Sequence, residues 1–156
     1  MAGYPPSMAM FICPNCQNRV IDSDGLDGLS HQPAGCTRCG FGFLFQLMDD
    51  YYPGPGAGML ACDRDGRILA SGRGVFELTG YREAQLVGRP LQEALDLRAP
   101  EGEQDPVATV LEWGVRKRDL HLTLQHGIGL RKSVRVDLFP GYDADGGLLC
   151  CLAPLT

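Results

Sequence analysis

No apolar run in these 156 residues approaches the roughly 20 needed to span a membrane. The segment from Met1 to Phe11 carries no positive side chain and no apolar stretch of signal-peptide length, so a cytoplasmic protein is expected. Low-complexity tracts and internal repeats are also missing, which leaves an ordinary globular composition: 44% hydrophobic and 21% charged. Chemistry-bearing motifs are equally scarce. There is no nucleophile motif and no paired-acid arrangement, and Gly54-Pro-Gly56 and Gly72-Arg-Gly74 lack the strand-to-helix context of a phosphate loop. The chain therefore reads as a non-enzyme.

Positive charge is short where a nucleic-acid contact would need it. Residues 1–52 hold Arg19 and Arg38 against Asp22, Asp24, Asp27, Asp49 and Asp50, within a net charge of −5. Four metal-bound thiolates would add two further negative charges after counting a divalent ion. Binding held by phosphate contacts is not expected from such a surface.

Cysteine, by contrast, is plentiful. Cys13-Pro-Asn-Cys16 and Cys36-Thr-Arg-Cys39 form two CxxC units separated by nineteen residues. Each unit brackets a tight knuckle whose backbone N–H groups point at sulfur. Two knuckles supply four thiolates at the corners of a tetrahedron, the arrangement that a structural Zn²⁺ accepts. Two disulfides would need an oxidising compartment, and a thioredoxin-like pair would need a βαβ context that is missing. His31 is an alternative ligand, although four sulfurs already close the shell. The expected metal ligands are Cys13, Cys16, Cys36 and Cys39.

This spacing resembles the four-cysteine zinc ribbons over about residues 10–47. Gly40 follows the second knuckle as in that family, whereas Gln17 stands where the first knuckle usually has glycine. Phe41, Phe43 and Phe45 alternate as a ribbon strand would, and Phe43, Phe45 and Tyr51 are the candidate contact residues. Ribbons bind nucleic acid or protein, or serve folding alone. The acidic balance here favours protein contact or pure structure.

Three composition shifts divide the chain into a ribbon over 8–50, a linker over 51–58 and a second domain over 59–156. The linker alternates proline and glycine, which sustains neither helix nor strand, so the two parts are expected to share little core. The second part opens with a hairpin, Met59 to Cys62 and Arg67 to Ser71, around Asp63-Arg-Asp-Gly66. Short helices follow: Val75 to Thr79 stopped by Gly80, and Glu83 to Val87 stopped by Gly88 with Pro90 just beyond. A longer helix starts at Asp105, whose carboxylate caps it and whose Pro106 fits the first turn. Val107, Val110, Leu111 and Val115 form its apolar stripe, and Trp113 is read as core. Three strands close the chain. Leu120, Leu122 and Leu124 alternate with polar residues, as do Val134, Val136 and Leu138, while Leu148 to Leu152 is apolar on both faces.

The string from Phe76 to Arg89, with its Thr79-Gly-Tyr81 corner and Gly88-Arg89 ending, closely resembles the middle of PAS domains. Asp63 to Leu69 looks like that family's first hairpin and Asp143 to Gly147 like the turn before its last strand. The resemblance covers about residues 56–153. It implies an α+β chain: a zinc ribbon followed by a five-stranded antiparallel sheet with helices on one face and a small cavity between. It also implies ligand sensing or partner binding, with a homodimer as the expected assembly and an unidentified protein as partner. Haem-binding members commonly use a His on the long helix, and Val107 to Lys117 has none. His121 and His126 lie on a polar strand face and in a glycine-rich turn. Flavin-based photosensors of the family use a cysteine in the second helical region and asparagines on later strands. Residues 75–90 hold no Cys, and no Asn follows Asn18. Neither haem nor a photoactive flavin is expected. The family often continues into a signalling helix, whereas this sequence stops at Ala-Pro-Leu-Thr156. Cys62, Cys150 and Cys151 are read as buried packing residues, with a redox pair as the alternative. A sensory or signalling adaptor and a transcription-linked regulator whose ribbon contacts nucleic acid or polymerase are the two functional readings. The acidic ribbon favours the adaptor.

Overall fold

A computed structural model describes residues 9–13, 15–16, 19–22, 39, 45–46, 56–99, 105–140 and 147–155. Near the N-terminus, β1 (Ala9–Ile12), β2 (Arg19–Asp22) and β3 (Phe45–Gln46) form a three-stranded antiparallel sheet in the order β2-β1-β3. β1 and β2 pair from Ala9↔Asp22 to Ile12↔Arg19, so the first CxxC unit sits in the turn that joins them.

The rest of the chain builds a second sheet from β4 (Gly58–Cys62), β5 (Ile68–Ser71), β6 (Lys117–Gln125), β7 (Arg131–Pro140) and β8 (Leu148–Pro154). Its order is β5-β4-β8-β7-β6, with every pairing antiparallel. The β4–β5 turn forms as the residues dictate. Asp63 Oδ1 accepts from the N–H groups of Asp65 and Arg67, both at 2.9 Å, and Gly66 takes φ +81°.

Four helices lie between β5 and β6: α1 (Val75–Thr79), α2 (Glu83–Leu86), α3 (Leu91–Leu95) and α4 (Pro106–Trp113). α1 ends at Gly80, φ +79°, as read from the sequence. The glycine is needed for space as well as for its dihedral, because a Cβ there would stand 2.5 Å from the His126 ring and 3.1 Å from the Gly127 nitrogen. The flanking residues fasten this corner. Thr79 Oγ1 donates to Val75 O, Gly127 N–H donates to Thr79 O, and the Tyr81 hydroxyl donates to Gln125 O at 2.9 Å. The Thr-Gly-Tyr signature is thus a bolt between α1 and the β6–β7 turn.

α3 lies where the sequence reading placed none. Pro90, just beyond the stop at Gly88, is also the residue before a new helix whose Leu91, Ala94 and Leu95 are buried. Its end is held by Asp96, which accepts from Arg131 at 2.9 Å and Arg98 at 3.0 Å. Those bonds, Arg131's first, hold the Asp96 carboxyl below its ordinary range.

α4 is capped as expected, with Asp105 Oδ1 accepting from Val107 N–H at 2.9 Å and Ala108 N–H at 3.2 Å. Such a cap contributes about 1 kcal/mol. The helix is shorter than the expected stripe. Gly114 at φ +65° ends it, so Val115 lies beyond it, and Trp113 is 71% exposed rather than core.

Side-chain alternation gives the second sheet two different faces. Leu60, Leu122, Leu124, Val134, Val136, Leu138, Leu148, Cys150 and Leu152 join Val75, Leu78, Leu86, Leu91, Leu95, Val107 and Val110 from the helices in one core. The opposite face carries Ala57, Met59, Phe139, Leu149, Cys151 and Ala153, a separate cluster that is also buried. β8 is apolar on both sides for this reason. Among the described residues no helix is long and apolar enough to cross a membrane.

Candidate functional site

The first CxxC unit folds as a knuckle. Asn15 lies two residues after Cys13, and its backbone N–H donates to Cys13 Sγ at 3.3 Å. This N–H···S bond is the one that the spacing predicts. Cys39, from the second unit, comes to 3.6 Å from Cys13, sulfur to sulfur. The sulfurs of Cys13, Cys16 and Cys39 all lie within 4.8 Å of one another. Cys13 is buried and the other two are half-buried. Cys36, His31, Gln17, Gly40, Phe41, Phe43 and Tyr51 lie outside the described residues.

These separations fit a metal better than a bond. The 3.6 Å between the Cys13 and Cys39 sulfurs far exceeds the roughly 2.05 Å of a disulfide. In a tetrahedron with Zn–S distances of about 2.3 Å, the sulfur-to-sulfur edge is about 3.8 Å. The Cys13–Cys39 separation is within a few tenths of that value. An all-thiolate donor set is soft, which matches Zn²⁺ and disfavours Mg²⁺ or Ca²⁺.

One residue of the site was not singled out from the sequence. The Asn15 side chain donates from Nδ2 to Cys39 Sγ at 3.4 Å, and its Oδ1 accepts from the backbone N–H of Arg73 at 2.9 Å. Hydrogen bonding to ligand atoms is the usual means by which a protein orients a metal shell. The amide inside the first unit was visible in the sequence, but its partner 58 positions away was not. The two parts of the chain, expected to share little core, meet at this bond.

The remaining cysteines are placed otherwise. Cys62 and Cys150 both belong to the helix-side core of the second sheet, and Cys151 belongs to the opposite cluster. Burial, reinforced by Asp63, pushes the Cys62 thiol up to about 12. Burial drives Cys150 up as well, with smaller contributions from Cys62, Cys151 and Asp137. Both stay protonated at neutral pH, so neither is poised as a ligand or nucleophile. The haem-relevant histidines lie apart from the helix-side core. His121 is exposed on β6, beside Asp119 at 3.6 Å, and His126 packs on Gly80. On α3, Gln92 Nε2 donates to Leu97 O, while its buried Oε1 has no partner among the described residues. Buried acceptors are seldom left so, and a water or ligand donor would satisfy it.

Comparison with known proteins places the second sheet. The sequence model of the family described as the PAS fold matches residues 56–154. Among solved structures, a PAS domain from Colwellia psychrerythraea is 19% identical with a TM-score of 0.53, covering 65% of this chain and 87% of that one. The PAS domain of the fruit-fly ELK potassium channel is 16% identical with a TM-score of 0.54, covering 66% and 89%. The light-state dimer of the fungal blue-light photoreceptor Vivid is 13% identical with a TM-score of 0.55, covering 69% and 83%. At these identities the likeness is one of fold alone. No curated protein matches this chain. The β5-β4-β8-β7-β6 order, the helices gathered on one face and the bolted Thr79-Gly80-Tyr81 corner all fall within the matched residues, and the chain belongs to the PAS-fold family.

Proposed function

We propose that the protein is a zinc-binding sensory or signalling adaptor, in which a four-thiolate ribbon is carried by a PAS domain that binds a small ligand or a protein partner. Family membership over residues 56–154 supports the sensory or interaction role. The convergence of Cys13, Cys16 and Cys39 on one point is the observation that carries the metal reading. Cys36 supplies the fourth sulfur by its CxxC spacing from Cys39. A zinc ion held by four thiolates has no open coordination position, so it acts as a cross-link and not as a catalyst. It would stabilise the three-stranded sheet, since apparent zinc binding contributes roughly 10–16 kcal/mol in small modules.

The adaptor is not an enzyme on this reading. It works in the cytoplasm, where thiols stay reduced, and as a homodimer through the PAS domain. Vivid, one of the proteins of like fold, forms a light-state dimer. Neither haem nor a photoactive flavin is bound, because the residues that hold them elsewhere in the family are not at the corresponding positions.

Native mass spectrometry of the full chain, purified without chelator, tests the reading. The expected species is a non-covalent dimer, colourless in the visible, with any small ligand seen as added mass released on denaturation. A monomer at micromolar concentration would remove the dimer. A haem or flavin mass with its absorption band would overturn the cofactor reading.

A further inference from the structure

The Asn15 side chain has both ends engaged, one on each part of the chain. Its NH₂ reaches the Cys39 sulfur, and its carbonyl takes the Arg73 N–H, which only donates. The Arg73 N–H therefore fixes the orientation of the amide. Its own backbone N–H is committed to Cys13. Three bonds thus tie one residue to two ligand sulfurs and one turn of the PAS domain.

That turn is built to pass on a displacement. Gly72-Arg73-Gly74-Val75 closes with Val75 N–H on Gly72 O at 3.4 Å. Gly74 has φ +94° and ψ −20°, the third-residue geometry of a type II turn. Gly72 N–H donates to Met59 O at 2.8 Å, and Ser71 N–H donates to Glu83 Oε2 at 2.8 Å. A Cβ on Gly74 would stand 2.6 Å from Ala57 O, so the turn also rests against the chain entering β4. The turn leads directly into α1, whose Val75 and Leu78 are core residues.

We propose that Asn15 is the joint between the metal centre and the PAS domain, so that metal occupancy and the conformation of the 72–75 turn are thermodynamically linked. This rests on the zinc reading above. With the metal bound, Cys13 and Cys39 are fixed thiolates, strong acceptors that hold the amide and aim its carbonyl at Arg73. Without the metal the sulfurs would be thiols, weaker acceptors than thiolates, so the amide would be held less firmly and the Arg73 N–H would meet water more often. The link runs both ways by the same factor, so the state of the PAS domain at this turn also sets how tightly the metal is held.

Amide hydrogen exchange and chelator competition on the full chain test the link. Arg73 N–H has no other acceptor in the turn, so it reports the joint directly. In wild type its exchange is expected to slow about fivefold or more with zinc bound, relative to chelator-stripped protein, the factor one net hydrogen bond carries. Arg73→Pro removes that donor at a turn position where proline is favoured, and leaves the knuckles untouched. It is expected to weaken zinc about fivefold in competition, whereas Arg73→Ala, which keeps the N–H and drops the charge, holds zinc as wild type does. If zinc binds but Arg73 exchange ignores it, and Arg73→Pro binds zinc normally, the joint is refuted while the zinc reading stands. If the wild-type chain takes up no zinc, both fall.

Discussion

Val110→Asp is expected to unfold the PAS domain at room temperature. Val110 is fully buried on α4, in the same core as Leu122, Leu124, Val134 and Val136 on the sheet. None of those neighbours is polar, so a carboxylate placed there would have nothing to replace its water. The penalty is several kcal/mol even after relaxation, a large part of the ~5–15 kcal/mol that holds a typical domain. Val110→Ala separates this effect from packing, because it opens a small cavity without burying charge and should cost about 2 kcal/mol. Urea denaturation followed by circular dichroism compares the three. An aspartate variant as stable as the alanine variant would mean that α4 does not close this core.

Gly74→Ala should cost nearly as much for a change of one methyl. The new Cβ would lie 2.6 Å from Ala57 O, a backbone atom that cannot rotate away, at a residue with φ +94°. The opposing glycine is as confined, since a Cβ on Gly58 would lie 2.7 Å from the Val75 nitrogen. The two glycines let the start of β4 and the turn before α1 pack backbone against backbone. Gly88→Ala is the internal control. Gly88 has φ +88° but open space around the added methyl, so it should show only the left-handed penalty of about 1–2 kcal/mol. Gly74→Ala should add a further roughly 2 kcal/mol for the collision. Equal losses in melting temperature for the two variants would show that the close approach at Gly74 relaxes freely.

The parts of the fold legible in the sequence were those set by local chemistry. Asp63 and Gly66 specify their own turn, Gly80 its helix end, and Asp105 with Pro106 the start of α4. Strand alternation separated the two faces of β6 and β7, and the double-sided run at Leu148–Leu152 marked β8 as the central strand that it is. Reading failed where one residue type serves two ends. Pro90 both closes one segment and opens α3, and Gly114 cut α4 short before Val115, leaving Trp113 at an exposed end.

The site divided in the same way. CxxC spacing identifies the thiols because a knuckle is local, and Cys13, Cys16 and Cys39 do meet. The Asn15–Arg73 bond depends on how two turns, their residues 58 positions apart, are brought together, and no spacing rule reports that.

The central claim is a four-sulfur zinc centre in a PAS-family chain, and X-ray absorption at the zinc edge of chelator-free protein tests it most directly. The account predicts one zinc per chain, with four sulfur ligands at about 2.3 Å and no lighter atom in the shell. A nitrogen or oxygen ligand, or a zinc content near zero, would contradict it.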